Sequence, residues 1–245
     1  MRTCRPRPLD DGAIIPYDFN MKQIQVIKAS GFKEIFNPDK VRDSLKRAGA
    51  KPEVIDKIVT EVTGRLYEGI TTQDIYRQVF GLLKQSQADI SDRYSLKEGL
   101  MHLGPSGYPF EQFISRLLQA MGHKTQTQVI MNGQCVQHEI DVLAEKDRQK
   151  FLVECKFHNR PGAKTDVKAA LYTQARFEDI CAKTVGQFYQ PWLVTNTKLT
   201  SQAIQYANCK NMRLLAWRYP ETEGIEALIA KFNLYHLLKL GYSET

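Results

Sequence analysis

Residues 138–157 read "HEIDVLAEKDRQKFLVECKF". Two runs that alternate apolar and polar positions flank a polar turn at Lys146-Asp147-Arg148-Gln149, which is the pattern of two paired β-strands. In the second run Phe151, Val153, Cys155 and Phe157 share one apolar face, and Leu152, Glu154 and Lys156 share the other. In the first run Glu139, Asp141 and Leu143 are expected on one face, opposite Ile140, Val142 and Ala144. Paired as a hairpin, the strands bring Asp141 and Glu154 to the same side, beside Lys156. Two converging carboxylates repel, and at least one pKa rises unless a cation lies between them. Magnesium, or manganese in its place, takes carboxylate oxygens, keeps water and pairs with phosphate. Such an ion polarises a phosphoryl oxygen, and a neighbouring lysine can orient or deprotonate the attacking water. The same alternation also describes any half-exposed strand, with Glu154 and Lys156 as a surface ion pair.

The surrounding sequence favours a mixed sheet flanked by helices. "PFEQFISRLLQAMG" (109–122) predicts a helix with Pro109 at its start and Gly122 at its stop. "TQTQVIM", Asn132-Gly133 and "QCVQHEIDVLAE" predict a hairpin, since Asn-Gly suits a type I′ turn. A helix follows at about 164–182, then strand "PWLVTNT", helix "TSQAIQYANCKN", strand "MRLLAW" and a terminal amphipathic helix "IEALIAKFNLYHLL". The order α-β-β-β-α-β-α-β implies an α/β domain with a mixed sheet over 109–245.

Upstream the pattern differs. "QIQVIKASGFKEIF" predicts two short strands around Ser30-Gly31. Helices are expected after Asn37-Pro38, from Pro52, after the capping pair Thr71 and Asp74, and at "DRYSLKEGLMHL". A small α+β unit over 21–103 is therefore expected, behind a loosely held arm at 1–20. "GPSGYP", with a linker at 104–108, marks the boundary.

Bulk properties narrow the class. No run approaches the ~18 apolar residues of a membrane span, so no membrane partner is expected. Five cysteines without a CxxC pair or an apolar leader argue for free thiols in a reducing cytoplasm. A net charge of +7 favours a polyanionic partner. The "GAKT" at 162–165 lacks the upstream glycine of a phosphate-binding loop, so a nucleotide would be an effector and not a fuel.

Asp141, twelve intervening residues and then Glu154-Cys155-Lys156 resemble the PD-(D/E)xK nuclease superfamily, and more narrowly its Mrr-like restriction endonuclease branch. The likeness runs over about 109–217. It implies a metal-dependent endonuclease acting on DNA, with Asp141, Glu154 and the Cys155 carbonyl as metal ligands and Lys156 as the catalytic lysine. Glu111 and Gln174 stand where that family carries supporting residues. Where Mrr-like members have glycine-rich residues before the aspartate, this chain has Gln137-His138-Glu139, so Glu139 is either an extra ligand or an exposed charge.

"VIKASGFKEIFNPDKVRDSLKRA" (26–48) and "EGITTQDIYRQVFGLL" resemble the ATP-cone, a nucleotide-binding module. That likeness implies ATP or dATP bound by Val26, Lys28, Glu34, Asn37, Lys40 and Thr72. Lys28 and Lys40 supply charge for phosphates, and Glu34 or Asn37 would read a ribose or base. The family's Lys-Arg at the first strand end is Lys28-Ala29 here, and a methyl group cannot replace a bidentate guanidinium. The module is then either a weakened nucleotide site or a structural unit. Regulation by an effector requires two states that bind it differently, and a homo-oligomer that changes with nucleotide is one such pair. The rival expectation is a non-catalytic, nucleotide-responsive nucleic-acid-binding regulator. A third is a dimerisation or scaffold module using the stripe Ile225, Leu228, Ile229 and Phe232, although that stripe also suits packing on its own domain.

Overall fold

The structure, a computed structural model, describes residues 23–160 and 162–239; the arm expected at 1–20 lies outside them. In the N-terminal module β1 (Gln25–Ile27) pairs antiparallel with β2 (Lys33–Ile35). The turn between them uses Gly31 at φ 82°, a left-handed conformation that glycine adopts without cost. Helix α1 (Pro38–Ala48) starts at Asn37, whose side-chain oxygen accepts from the Asp39 N–H, and stops at the left-handed Gly49. Helices α2 (Pro52–Gly64) and α3 (Thr72–Ser86) follow, the second capped by Thr71 as its sequence predicts. One core holds them together, with Val26, Leu45, Ile58, Val62, Ile70 and Leu83 at its centre.

The single helix expected over "DRYSLKEGLMHL" is two short ones, α4 (Ala88–Tyr94) and α5 (Leu96–Met101). Their division matters for packing. Ile90 of α4 joins the first core, whereas Leu96 and Leu100 of α5 are buried in the second. A boundary drawn at Gly104 thus leaves α5 with the first module in sequence while its leucines serve the second. The stretch expected as a free linker is packed: a Cβ on Gly104 would lie 2.6 Å from the Phe157 ring.

The second module is the expected α/β unit. Helix α6 (Tyr108–Ala120) precedes β3 (Lys124–Asn132), β4 (Gln137–Lys146) and β5 (Gln149–Lys156). Then come β6 (Lys164–Thr165), α7 (Val167–Lys183), β7 (Phe188–Thr195), β8 (Lys198–Leu199), α8 (Ser201–Cys209) and β9 (Arg213–Leu215). The main sheet has order β3-β4-β5-β7-β9. Its first two pairings are antiparallel and its last two parallel, so β5 is central and covered on both faces. On one face Phe110, Ile114, Leu117 and Leu118 of α6 pack on Val142, Val153 and Trp192. On the other, α7 and α8 cover Leu152 and Leu193. Each fully buried aliphatic side chain contributes roughly 1.5–3 kcal/mol, and this double layer fixes the frame of the central strand.

Three expectations are corrected. Asn132-Gly133 does not form a two-residue turn. Asn132 ends β3, and a loop over 133–136 is closed by the Gly133 N–H donating to the Val136 carbonyl. The reason is Asp179 of α7, which accepts from the Cys135 and Val136 N–H groups and sits 2.7 Å from His138 Nε2. The terminal helix is broken into α9 (Ile225–Lys231) and α10 (His236–Lys239) by Asn233 in a left-handed conformation. Its apolar stripe packs on the second module's own core.

The third correction concerns the faces of β4. Thr127 and Val142 pair and face α6: Gln112 of α6 donates to the Thr127 hydroxyl at 3.0 Å, and Val142 lies in the α6 core. Two residues along, Val129 and Ile140 pair as well, yet they pack under α7 with Ile180. The strands change face at the intervening pair, Gln128 and Asp141, where the ladder is interrupted and Gln128 takes φ 53°. Strict alternation, which placed Ile140 with Val142, fails at Asp141.

Candidate active site

The interruption at Asp141 also determines what its carboxylate does. The β4–β5 ladder ends at Val142 and Val153. Beyond it the Cys155 N–H donates to Asp141 Oδ2 at 2.6 Å, so a side chain takes over where a backbone carbonyl would have continued the pairing. Glu154, on the preceding position of β5, points toward α7. Its Oε2 accepts from Arg176 Nη1 at 2.5 Å, and the same Nη1 donates to the Glu139 carbonyl at 2.8 Å. The Arg176 guanidinium also lies over the Tyr172 ring, 4.6 Å from its centroid, and donates to the Tyr172 hydroxyl. Arg176 is thus held from three sides and bridges α7, β4 and β5.

From the other face, α6 supplies Glu111. A Cβ on Gly107 would lie 3.2 Å from Glu111 Oε1, so the carboxylate folds back over the start of its helix, where the helix dipole favours negative charge. Lys156 closes the group at the end of β5. It shares a cleft of about 280 Å³ with Glu154, Asp166, Lys168 and Tyr172.

The electrostatics are those of crowded acids. Burial, then Asp141 and Glu139, push Glu111 up to about 7. Burial and Asp141 push Glu154 up to about 7, even though Arg176 and Lys156 pull the other way. A close guanidinium normally lowers a carboxyl pKa; here desolvation and the neighbouring acid outweigh it. Asp141 is raised by burial, against the Cys155 N–H and Arg176. The Cys155 thiol, fully enclosed, is raised by burial and is a packing group with no sign of a nucleophile. Glu139 is exposed; one step beyond Ile140 it falls on the α6 side, where its charge bears on Glu111.

Whether this donor set suits a divalent cation can be judged from its chemistry. Among the described residues no three carboxylate, imidazole or thiolate groups converge into a complete cage. The Asp141 and Glu154 carboxylates and the Cys155 carbonyl are hard oxygens, the donor type that magnesium-type ions take while retaining water and adding oxygens from phosphate. Burial, and after it the neighbouring acids, disfavours the ionised carboxyls, and a cation would favour them.

One expected member stands differently. Gln174 lies on α7, but its amide donates to Glu178 at 2.9 Å and makes no hydrogen bond to the carboxylates. The α7 residue that does is Arg176, which sequence reasoning missed; the signal was Tyr172 and Arg176 one helical turn apart on the face that meets the sheet.

In the N-terminal module Lys28, Glu34 and Lys40 do meet. Glu34 lies 2.6 Å from the Lys28 ammonium and 3.0 Å from that of Lys40, and these two cations hold its carboxyl below the usual range. Asn37 spends its side-chain oxygen on the cap of α1, and Val26 is buried in the core. Thr72 opens α3 beside Thr71, which bridges to Ile27 at the end of β1. The six candidates therefore surround one junction, where Glu34 already compensates the lysines.

Comparison with known families agrees with this division. Residues 104–218 match the family model described as a restriction endonuclease, of the Mrr catalytic type, and residues 24–97 match that of the ATP cone domain. The chain belongs to the Mrr-like restriction endonucleases, with an ATP cone domain in front. The Mrr-like stretch contains Glu111, Asp141, Glu154 and Lys156, and the ATP cone contains Glu34 and the other five nucleotide candidates. An uncharacterized protein of Archaeoglobus fulgidus is 48% identical over 122 residues, covering 50% of this chain and 68% of that protein. The crystal structure of a protein of unknown function is 41% identical, covering 56% of this chain and 79% of that chain, with a TM-score of 0.49. Restriction-endonuclease-like domains use divalent metals, and ATP cones bind nucleotide effectors. Among the described residues no helix is long and apolar enough to cross a membrane.

Proposed function

We propose that the protein is a divalent-metal-dependent DNA endonuclease whose ATP cone senses ATP or dATP. The observation that carries this reading is the end of the β4–β5 ladder. There the Cys155 N–H donates to Asp141 Oδ2, the Asp141 charge bears on Glu154, and Lys156 shares a cleft with Glu154. Asp141, Glu154 and the Cys155 carbonyl would hold magnesium or manganese, which supplies Lewis acidity and an activated water when bound. Lys156 orients the attacking water against the phosphodiester and offsets the charge that develops on the phosphorus oxygens. Glu111 and Glu139 add negative charge behind the ligands. Arg176 acts through Glu154, fixing its rotamer. The four cysteines among the described residues are free thiols, which suits the cytoplasm.

Nicking of supercoiled plasmid with Mg²⁺ tests the reading. Asp141→Ala and Lys156→Ala are each expected to lower the rate by on the order of 10²–10³-fold. Variants that nick as fast as the native chain would refute the assignment. For the effector, saturating ATP at ~100 times its Kd should stabilise the chain by roughly 2.7 kcal/mol, and light scattering with and without ATP follows any change of oligomer. No stabilisation at millimolar ATP or dATP would make the cone a structural unit.

A specific observation favours a second reading, a non-catalytic nucleotide-responsive DNA binder: Arg176 already occupies Glu154. That reading predicts salt-sensitive DNA binding without cleavage in any metal.

A further inference from the structure

Arg47 of α1, Arg93 of α4, Lys97 of α5 and Arg218, which follows β9, converge on one cleft between the two modules. The cleft measures about 420 Å³, large enough for a small ligand. Glu221 and Glu226 also line it, and Glu226 is engaged by Arg218, whose Nε and Nη2 donate to it at 2.5 and 3.0 Å. Among the described residues, Arg47, Arg93 and Lys97 have no carboxylate within ion-pair distance. The cations also oppose one another. Burial and then Arg218 push both Arg47 and Lys97 below their usual ranges. Lys97 is exposed along the cleft although neighbouring atoms crowd it, as befits a side chain on a concave wall. Four cations face two carboxylates here; Glu226 offsets part of the repulsion, and a bound anion offsets the remainder.

Tyr76, Tyr94, Trp217 and Tyr235 also line the cleft. The Tyr76 and Tyr94 rings stack with centroids 5.3 Å apart and planes 11° from parallel, and the Arg93 guanidinium lies 5.4 Å from the Tyr235 centroid. Aromatic side chains and guanidinium groups in one cleft suit a base next to phosphates. Lys28 and Lys40 line no part of this cleft.

We propose that the cleft is a second anion site, separate from the hairpin lysines, which takes a phosphorylated small ligand of nucleotide size and ties the ATP cone to the nuclease module. Such a ligand touches α1 and α4 on one side and Arg218 on the other, so its binding depends on how the modules sit. The idea stands or falls by binding, independently of whether the chain cleaves DNA.

Titration calorimetry on the full chain tests it, with ATP, inorganic pyrophosphate, adenosine and a duplex oligonucleotide as probes. In a Lys28→Ala, Lys40→Ala background ATP and pyrophosphate are expected to bind still, and adenosine not. Adding Arg47→Ala and Lys97→Ala should weaken ATP by about ten-fold or more for each cation removed. Lys97→Arg should retain the affinity. Lys97→Glu alone, at an exposed position, repeats the loss in case the combined variant misfolds; tryptophan emission monitors folding. The proposal is overturned if ATP and pyrophosphate fail to bind the Lys28→Ala, Lys40→Ala chain, or if removing Arg47 and Lys97 leaves their affinity unchanged. It is also overturned if adenosine binds as tightly as ATP, or if only the duplex binds through these cations.

Discussion

Glu154→Gln should make the metal-free protein more stable and its nuclease inactive. Glu154 is raised from an ordinary 4.5 to about 7, so its charged form is disfavoured in the fold, net of Arg176 and Lys156. That difference corresponds to roughly 3 kcal/mol. Because the side chain keeps 18% of its surface in solvent, about 1–3 kcal/mol is the expected relief. The sign follows from proton binding. Between 4.5 and 7 the folded chain holds a proton that the unfolded chain has released, so stability falls as pH rises through this window. Below 4.5 both states are protonated and the cost vanishes; above 7 it is fully present. Glutamine keeps the shape and an acceptor for Arg176 but cannot ionise. Urea unfolding in chelator, followed by tryptophan emission, measures the effect in the right module, since Trp192 and Trp217 both lie in the nuclease core. The gain should be about 1–3 kcal/mol at pH 8 and under about 1 kcal/mol at pH 5. It should appear as a melting shift of roughly 2–4 °C per kcal/mol. A variant no more stable than the native chain at pH 8, or equally stabilised at pH 5, would refute the view that this site is assembled from carboxylates at the expense of stability.

Arg176→Met removes the group that fixes Glu154 and should lower plasmid nicking about 10–100-fold, as loss of a residue supporting a metal ligand does; unchanged rates would leave Arg176 a structural residue. Gly133→Ala places a Cβ 1.9 Å from Asp179 Oδ2, so it should break the clamp on the 133–136 loop and lower stability by roughly 1–3 kcal/mol, read by urea unfolding. Glu34→Gln frees Lys28 and Lys40 for phosphate and should tighten ATP several-fold, given the ~0.2–1 kcal/mol of an exposed ion pair. Weaker binding in the same calorimetric titration would instead show that Glu34 contacts the nucleotide itself.

The opening stretch carried much of this in its residues alone. Apolar alternation at Phe151, Val153, Cys155 and Phe157 determines which face of β5 packs on α6, and the polar turn at Asp147-Arg148, both left-handed, sets the register that brings Asp141 toward Glu154. Helix starts at Asn37-Pro38 and Thr71 were legible because capping is a local interaction between near neighbours. What period-two reading could not give was the change of face at Gln128 and Asp141, because it depends on how α6 and α7 grip opposite sides of one strand pair. Nor could sequence show that Arg176 reaches across from α7, that Asp179 replaces an Asn-Gly turn, or that Leu96 and Leu100 serve the second core. Those features join residues tens of positions apart, and only packing decides which of several plausible partners a long side chain meets. Sequence determined which chemical groups the strands and caps present; tertiary structure decided which of them share a place, and so where charge is crowded, compensated or left for a ligand.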